Sequence, residues 1–144
     1  MRIVLQRVTS ASVSVDDKII GSIGTGILLL FGVGHDDSED DCRRLADKII
    51  GLRIFSDEND KINLNLASVG GSILVVPQFT LYADCRKGNR PNFIQAAEPK
   101  EAEKLYDYFV AYLKSKGQNV ETGSFGADMK VKLLNNGPFT VILE

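Results

Sequence analysis

The chain has 144 residues and a mass of 15.8 kDa, with 44% hydrophobic and 25% charged residues; this fits one globular domain over residues 1–144 and excludes both disorder and two full-sized domains. Seventeen Lys and Arg against nineteen Asp and Glu give a net charge of −2, so a nucleic-acid or anionic-membrane partner has to be met by a local patch. The longest apolar run, 26–33, falls far short of the ~20 residues that cross a bilayer, and Arg2 and Arg7 sit in a strand-like stretch rather than ahead of a signal-peptide core. No membrane partner is expected. Cys42 and Cys85 give neither a disulfide framework nor a CxxC pair, which makes a reducing, cytoplasmic location the simplest expectation.

In chain order, Ile3, Leu5, Val8, Val13 and Val15 follow a strand-like pattern, and Ile19, Ile20 and Ile23 resume after a polar tip at Asp16-Asp17-Lys18, which predicts a hairpin or meander. Gly24 and Gly26 flank a second turn. Residues 27–33 are apolar on both faces, as a central strand covered on two sides requires. At Ser38 the period changes. Ser38 with Asp41 forms a capping-box-like start, Glu39, Asp40 and Asp41 suit the positive end of a helix dipole, and Cys42, Leu45, Ala46 and Ile49 recur on one face as far as about Leu52. Polar turns fill 55–69, and Gly70-Gly71 introduces a short buried strand, Ile73–Val76, whose ladder Pro77 interrupts. Residues 84–91 read as a mobile basic loop. A second helix begins near Pro99, turns Ala102, Leu105, Tyr106, Phe109 and Leu113 inward, and stops at Gly117. Lys130–Leu134 and Phe139–Leu143 flank Asn135-Asn136-Gly137-Pro138, the pattern of a terminal hairpin. The class is therefore α/β, dominated by β, with two main helices.

The chemistry legible in the residues is sparse. His35, the single histidine, lies in a Gly-rich turn where Asp36 or Asp37 could pair with it, but without a G-x-S-x-G elbow it reads better as a surface residue than as a hydrolytic base. The carboxylates of 36–41 place Asp41 where an EF-hand needs glycine, and 57–62 places Lys61 at a ligand position, so no metal is implied. Gly32-Val33-Gly34 lacks the third glycine of a dinucleotide fingerprint, and 21–26 lacks the Lys-Ser/Thr of a P-loop; both read as turns, and no cofactor is expected. Arg86, Lys87 and Arg90 could grip phosphates or could be ordinary solvated surface.

Two segments carry a resemblance. Pro77-Gln78-Phe79-Thr80-Leu81 and Asn136-Gly137-Pro138-Phe139-Thr140 resemble the signature motifs of the D-aminoacyl-tRNA deacylases, written SQFTL and GPVT. Gln6-Arg7-Val8, Leu52-Arg53-Ile54-Phe55, Arg86-Lys87-Gly88 and 122–129 look like further family segments in family order, so the likeness covers essentially the whole chain. It implies a β-barrel-like α/β domain, a homodimer, and hydrolysis of the ester that joins a D-amino acid, or glycine, to the 3′ adenosine of tRNA. It also implies a chirality gate, in which a cis Gly-Pro dipeptide, here Gly137-Pro138, enters the partner subunit's pocket and rejects L side chains. The residues alone favour a two-residue turn at Asn136-Gly137 with Pro138 opening the next strand, since cis X-Pro bonds are uncommon, and it is the resemblance that favours the cis bond.

The same resemblance assigns Gln78, Phe79 and Thr80 as the catalytic stretch, with main-chain N–H groups near Phe79 and Thr80 available to the substrate carbonyl and the substrate's own ribose 2′-OH and a water supplying the chemistry. On spacing alone, Gln78 and Thr80 project from one strand face or simply end a strand. Arg7 resembles the arginine that braces the Gly-Pro loop, with an edge-strand surface charge as the plain alternative; Met129 either packs beside Gly137-Pro138 or fills core. Pro77 departs from the family, which usually has Ser there. Proline offers neither hydroxyl nor N–H, which excludes a serine nucleophile and makes the pocket wall a variant one. An animal branch specific for a mischarged L-amino acid also has Pro at this point but replaces the phenylalanine that Phe79 retains, so the chain reads as the D-specific type. The rival reading is a non-catalytic tRNA- or nucleic-acid-binding β-domain on the same scaffold.

Overall fold

In the computed structural model, which describes residues 1–144, the N-terminal alternation forms β1 (Arg2–Val15) and β2 (Lys18–Ile23), antiparallel and joined through Asp16 and Asp17 at φ 49° and 61°. Two successive left-handed residues are what a type I′ hairpin turn demands, and aspartate tolerates that region better than most side chains. β3 (Gly26–Gly32) lies antiparallel to β1 and parallel to β6 (Ser72–Pro77). Its two faces serve two cores: Ile27, Leu29 and Phe31 join Ile3, Leu5, Ile73 and Val75 beneath the helices, while Leu28 packs with Val8, Val13, Leu74 and Val76. This is why its apolar run is unbroken. Gly26 lets β3 and β6 approach, since a Cβ there would lie 1.9 Å from the Ser72 carbonyl oxygen.

α1 (Glu39–Gly51) starts at Ser38, whose backbone N–H and hydroxyl donate to the Asp41 carboxylate at 3.0 and 2.8 Å, and it buries Cys42, Leu45, Ala46 and Ile49. α2 (Pro99–Ser115) packs beside it and drives Phe109 against Phe31, ring centroids 4.6 Å apart. Its end is a Schellman motif: Gly117 sits at φ 79°, its N–H donates to Lys114 O at 2.9 Å, and Gln118 N–H donates to Leu113 O at 3.2 Å.

The terminal hairpin is corrected. β8 (Lys130–Leu143) is one strand, antiparallel to β1 from Ser14↔Lys130 to Ile3↔Leu143. Gln6 pairs with Thr140 and Val8 with Asn135, so residues 136–139 stand opposite Arg7 alone. Because β1 is long enough to pair both halves, the Asn-Gly-Pro step becomes a bulge within one ladder rather than the tip of two strands. Residues 78–81 also differ from expectation. The strand ends at Pro77 and Phe79–Tyr82 forms a single 3₁₀ turn, so Gln78 and Thr80 do not share a strand face. Within the polar stretch after α1, β4 (Phe55–Ser56) and β5 (Ile62–Leu64) pair around Asp57, whose carboxylate accepts the Asn59 and Lys61 N–H groups at 2.9 and 3.0 Å. β7 (Val120–Thr122), too short to show alternation, extends the sheet parallel to β6.

The strand order is β2-β1-β3-β6-β7, with β8 on the other edge of β1. β2 curls back toward β7: a Cβ on Gly21 would lie 2.8 Å from the Thr122 carbonyl oxygen. The sheet is thus nearly closed and barrel-like, with both helices over one face.

Candidate active site

The parallel strands β3 and β6 end side by side, and beyond their C-terminal ends opens a cavity of about 620 Å³. Crevices at that end of parallel strands are where α/β sheets take ligands. Phe31, Val33 and Val76 form its base, Pro77, Gln78 and Phe79 one wall, Phe93 and the start of α2 another, and Phe125 to Met129 close the remaining side. Glu98 is the one ionisable side chain in the lining. Nowhere do three or more His, Cys, Asp or Glu side chains gather as metal ligands would.

The 3₁₀ turn carries Phe79 to the cavity mouth, 56% exposed and edge-on to Phe93 at 5.0 Å. Thr80 lies outside the lining, its hydroxyl accepting a hydrogen bond from the Gln78 amide. A 3₁₀ turn has no internal acceptor for its first N–H groups, and those of Phe79 and Thr80 donate to no protein atom. Pro77 faces Gly123, where an added Cβ would lie 3.4 Å from the proline Cδ and 2.7 Å from Met129 Sδ. Met129 therefore belongs to this cavity, where its Sδ also accepts a hydrogen bond from the Ser124 N–H at 3.4 Å.

Gly137-Pro138 lies elsewhere. Its peptide bond is cis, Gly137 is at φ 146°, both residues are exposed, and neither lines the chain's own cavity. Beneath them is Arg7, 9% exposed and the one buried charged residue. Its Nε donates to Asn136 O at 2.9 Å, its Nη1 donates to Ile54 O at 2.6 Å, and its guanidinium sits 4.8 Å from the centre of the Phe139 ring. An exposed strand charge, the plain alternative, is not what the fold makes of it. Asn135 Oδ1 accepts the Phe139 N–H at 2.9 Å and closes the bulge.

Arg86, Lys87 and Arg90 are exposed on a loop pinched by the Asp84↔Asn92 bridge and leading to Phe93. Arg86 grips Asp84 with two hydrogen bonds, 2.8 and 2.7 Å, and this guanidinium holds the Asp84 carboxyl well below the usual carboxylate range. Lys87 and Arg90 have no ion-pair partner, so they are the free cations of the loop. His35 is exposed, meets Ile94 O at 2.5 Å and pairs with neither Asp36 nor Asp37. Phe93, Ala96 and Ala97 carry no periodicity that would have marked them as pocket residues, whereas Phe125 to Met129 lie in one of the family-like segments.

Residues 4–144 match the family model described as D-Tyr-tRNA(Tyr) deacylase. The chain belongs to the D-aminoacyl-tRNA deacylase family. A D-aminoacyl-tRNA deacylase of Clostridium beijerinckii is 56% identical over 144 residues, all of this chain and 97% of the relative; those of Koribacter versatilis and Thermotoga petrophila are 55% and 53% identical over the same shares. The solved structure of c-Myc DNA Unwinding Element Binding Protein matches with a TM-score of 0.93 at 38% identity, over 100% of this chain and 98% of that one. A probable eukaryotic D-amino acid tRNA deacylase matches with 0.85 at 21% identity, over 99% and 97%, a likeness of fold alone. In this deacylase-family chain the cavity offers an amide, main-chain donors and one carboxylate, with neither histidine nor cysteine among them.

Proposed function

We propose that the chain hydrolyses the ester between a D-amino acid, or glycine, and the 3′-terminal adenosine of tRNA, and so proofreads the chirality of tRNA charging in the cytoplasm. The observation that carries this reading is the cavity itself: its lining holds no nucleophilic serine, cysteine or histidine, unpaired N–H groups stand at its mouth, and the chain is matched end to end by deacylases. The Phe79 and Thr80 N–H groups take the ester carbonyl oxygen as it gains charge. Gln78, its amide steadied on the Thr80 hydroxyl, orients the adenosine end. Water adds to the carbonyl carbon, the bond to the 3′ oxygen breaks, and the ribose 2′-OH assists that oxygen as it takes up a proton. Pro77 leaves this scheme intact because no step uses a side-chain hydroxyl at that position.

Gly137-Pro138 acts on a second copy of the chain. It is exposed and apart from its own cavity, and β8, paired only to β1, presents exposed Leu134 and Ile142 along an edge open to a partner. In the homodimer the dipeptide enters the opposite cavity and occupies the space an L side chain needs. Lys87 and Arg90 meet phosphates near the 3′ end.

The test is deacylation of matched D-, L- and glycyl-tRNAs by the wild type and Pro77→Ser. D and glycyl esters should be cleaved and L esters spared; equal D and L rates would refute the gate. A second reading, a binding scaffold without turnover, draws on Pro77 and on the likeness to a DNA-element-binding protein. It predicts salt-sensitive tRNA binding with no amino acid released.

A further inference from the structure

The 3₁₀ turn that carries Phe79 and Thr80 is a single turn, with backbone bonds from Leu81 N–H to Gln78 O at 3.3 Å, longer than usual, and from Ala83 N–H to Thr80 O at 3.0 Å, of ordinary length. A 3₁₀ turn has poorer hydrogen-bond geometry than an α-helix, which gives contacts from outside it a share in fixing it. Groups outside the cavity hold it. At its far end the Tyr82 hydroxyl donates to Asp37 Oδ2 at 3.2 Å; the same carboxylate accepts the Gly34 N–H at 2.6 Å and pairs with the Met1 ammonium. The Asp37 side chain is 12% exposed. From another side Arg2 Nη1 donates to Leu81 O at 2.7 Å, its guanidinium lies 5.1 Å from the centre of the Tyr82 ring, and its Nε is held by Glu144 at 2.6 Å.

The turn after β3 is cut to receive this assembly. A Cβ on Gly34 would lie 2.8 Å from the Tyr82 hydroxyl oxygen, and one on Gly32 would lie 3.0 Å from Gln78 O and 3.2 Å from Leu81 Cβ. The Gly-Val-Gly step thus seats a turn of the chain itself. Burial first, then the neighbouring Asp37, pushes the Tyr82 phenol up to about 12, so it keeps the proton it donates. None of Arg2, Asp37 and Tyr82 lines the cavity, yet all three converge on the segment that presents the unpaired N–H groups.

We propose that Asp37, Tyr82 and Arg2 are positioning residues, which fix the Phe79–Thr80 turn so that its N–H groups face the ester carbonyl and govern turnover through that turn. The inference rests on the deacylase reading above. The experiment combines steady-state kinetics on a D-aminoacyl-tRNA with amide hydrogen exchange of the free protein, for wild type, Tyr82→Phe, Asp37→Ala, Asp37→Asn and Arg2→Lys. Wild-type turnover establishes the activity independently of the variants, and exchange at Phe79 to Leu81 reads the clamp without any substrate, so failure of one reading is separable from failure of the other.

Tyr82→Phe and Asp37→Ala should lower kcat by roughly ten- to a hundredfold, the scale of an ångström of misplacement, with KM held within about twofold. Exchange should accelerate at 79–81 and not across the sheet. Asp37→Asn, which keeps an acceptor for Tyr82 and Gly34, should recover most of the loss. If Asp37→Ala does not fold, Arg2→Lys takes its place, with a smaller fall in kcat from the loosened Leu81 contact. Wild-type kcat in Tyr82→Phe with unchanged exchange at 79–81 would overturn the proposal, and so would activity lost only in step with global unfolding.

Discussion

Arg7 supplies a demanding test of how the C-terminal bulge is held. Arg7→Met removes the hydrogen bonds to Asn136 O at 2.9 Å and Ile54 O at 2.6 Å and the cation 4.8 Å over Phe139, while keeping an unbranched side chain on β1. A hydrogen bond from a charged donor contributes about 1.5–3 kcal/mol and a partly desolvated cation–π contact ~1 kcal/mol; methionine recovers part by apolar contact and by ending the need to bury a charge. The net loss is about 3 kcal/mol. In a chain of this size 1 kcal/mol moves the midpoint by roughly 3–4 °C, so thermal melts followed by circular dichroism should fall by about 10 °C at matched protein concentration. Arg7→Lys keeps the charge but cannot span both carbonyls with one planar fork, and it should lose about half as much. A midpoint for Arg7→Met within about 2 °C of wild type, or equal losses for the two variants, would refute the assignment.

Gly26→Ala sets a Cβ 1.9 Å from a backbone oxygen that cannot yield without opening the β3–β6 ladder; the expected result is little soluble protein and no native near-ultraviolet spectrum, and a native spectrum would count against it. The Ser38 hydroxyl first, and then Arg44, hold the Asp41 carboxyl below its ordinary value of 3.8. A depressed folded-state value stabilises the fold above the unfolded value and is lost as pH falls through the lowered one, so the gap in melting temperature between wild type and Asp41→Ala should be constant near neutrality and close in strong acid. A gap that does not narrow as the pH falls below the ordinary carboxylate range would refute the linkage. Because Asp84 occupies Arg86, binding of a tRNA 3′ end should lose about 1.4 in log–log salt slope when Lys87 and Arg90 are both replaced by alanine, at roughly 0.7 per single-strand phosphate contact. The Asp84→Ala/Arg86→Ala pair should leave that slope unchanged, as titrations at several salt concentrations would show.

Features written in local chemistry were legible in advance. The two-faced run of β3, the Ser38–Asp41 box and the Gly117 stop each depend on residues within a turn or two of one another. The segments that differed depend on distant partners. Asn135-Asn136-Gly137-Pro138 carries the chemistry of a turn, and only the length of β1, more than a hundred residues away, makes it a bulge. Pro77 ended its strand on schedule, but the 3₁₀ turn that follows exists because Gly32 and Gly34 leave room for it. Arg7 illustrates the same limit: a sequence shows a charge in a strand, and only the fold brings the carbonyls of Ile54 and Asn136 to it. The wall from Phe93 to Pro99 has no period at all, so nothing before the fold placed it at the cavity.

The pairing of β1 with β8 also imposes an order in time. Val15 and Lys130 are 115 positions apart, and at roughly 5–20 residues per second a ribosome needs about 6–23 s to deliver the last strand after the first is complete. Throughout that interval β1 can pair with β2 and β3, but its other edge, from Ile3 to Ser14, keeps open donors and acceptors able to recruit a neighbouring nascent chain. Thr9, Ser10, Ser12 and Ser14 lie along that edge, hydroxyl-bearing residues that lower its apolar character while it waits. In the finished protein they are surface and ladder positions; in a chain still being made they leave the open edge less apolar than a run of Val and Ile would.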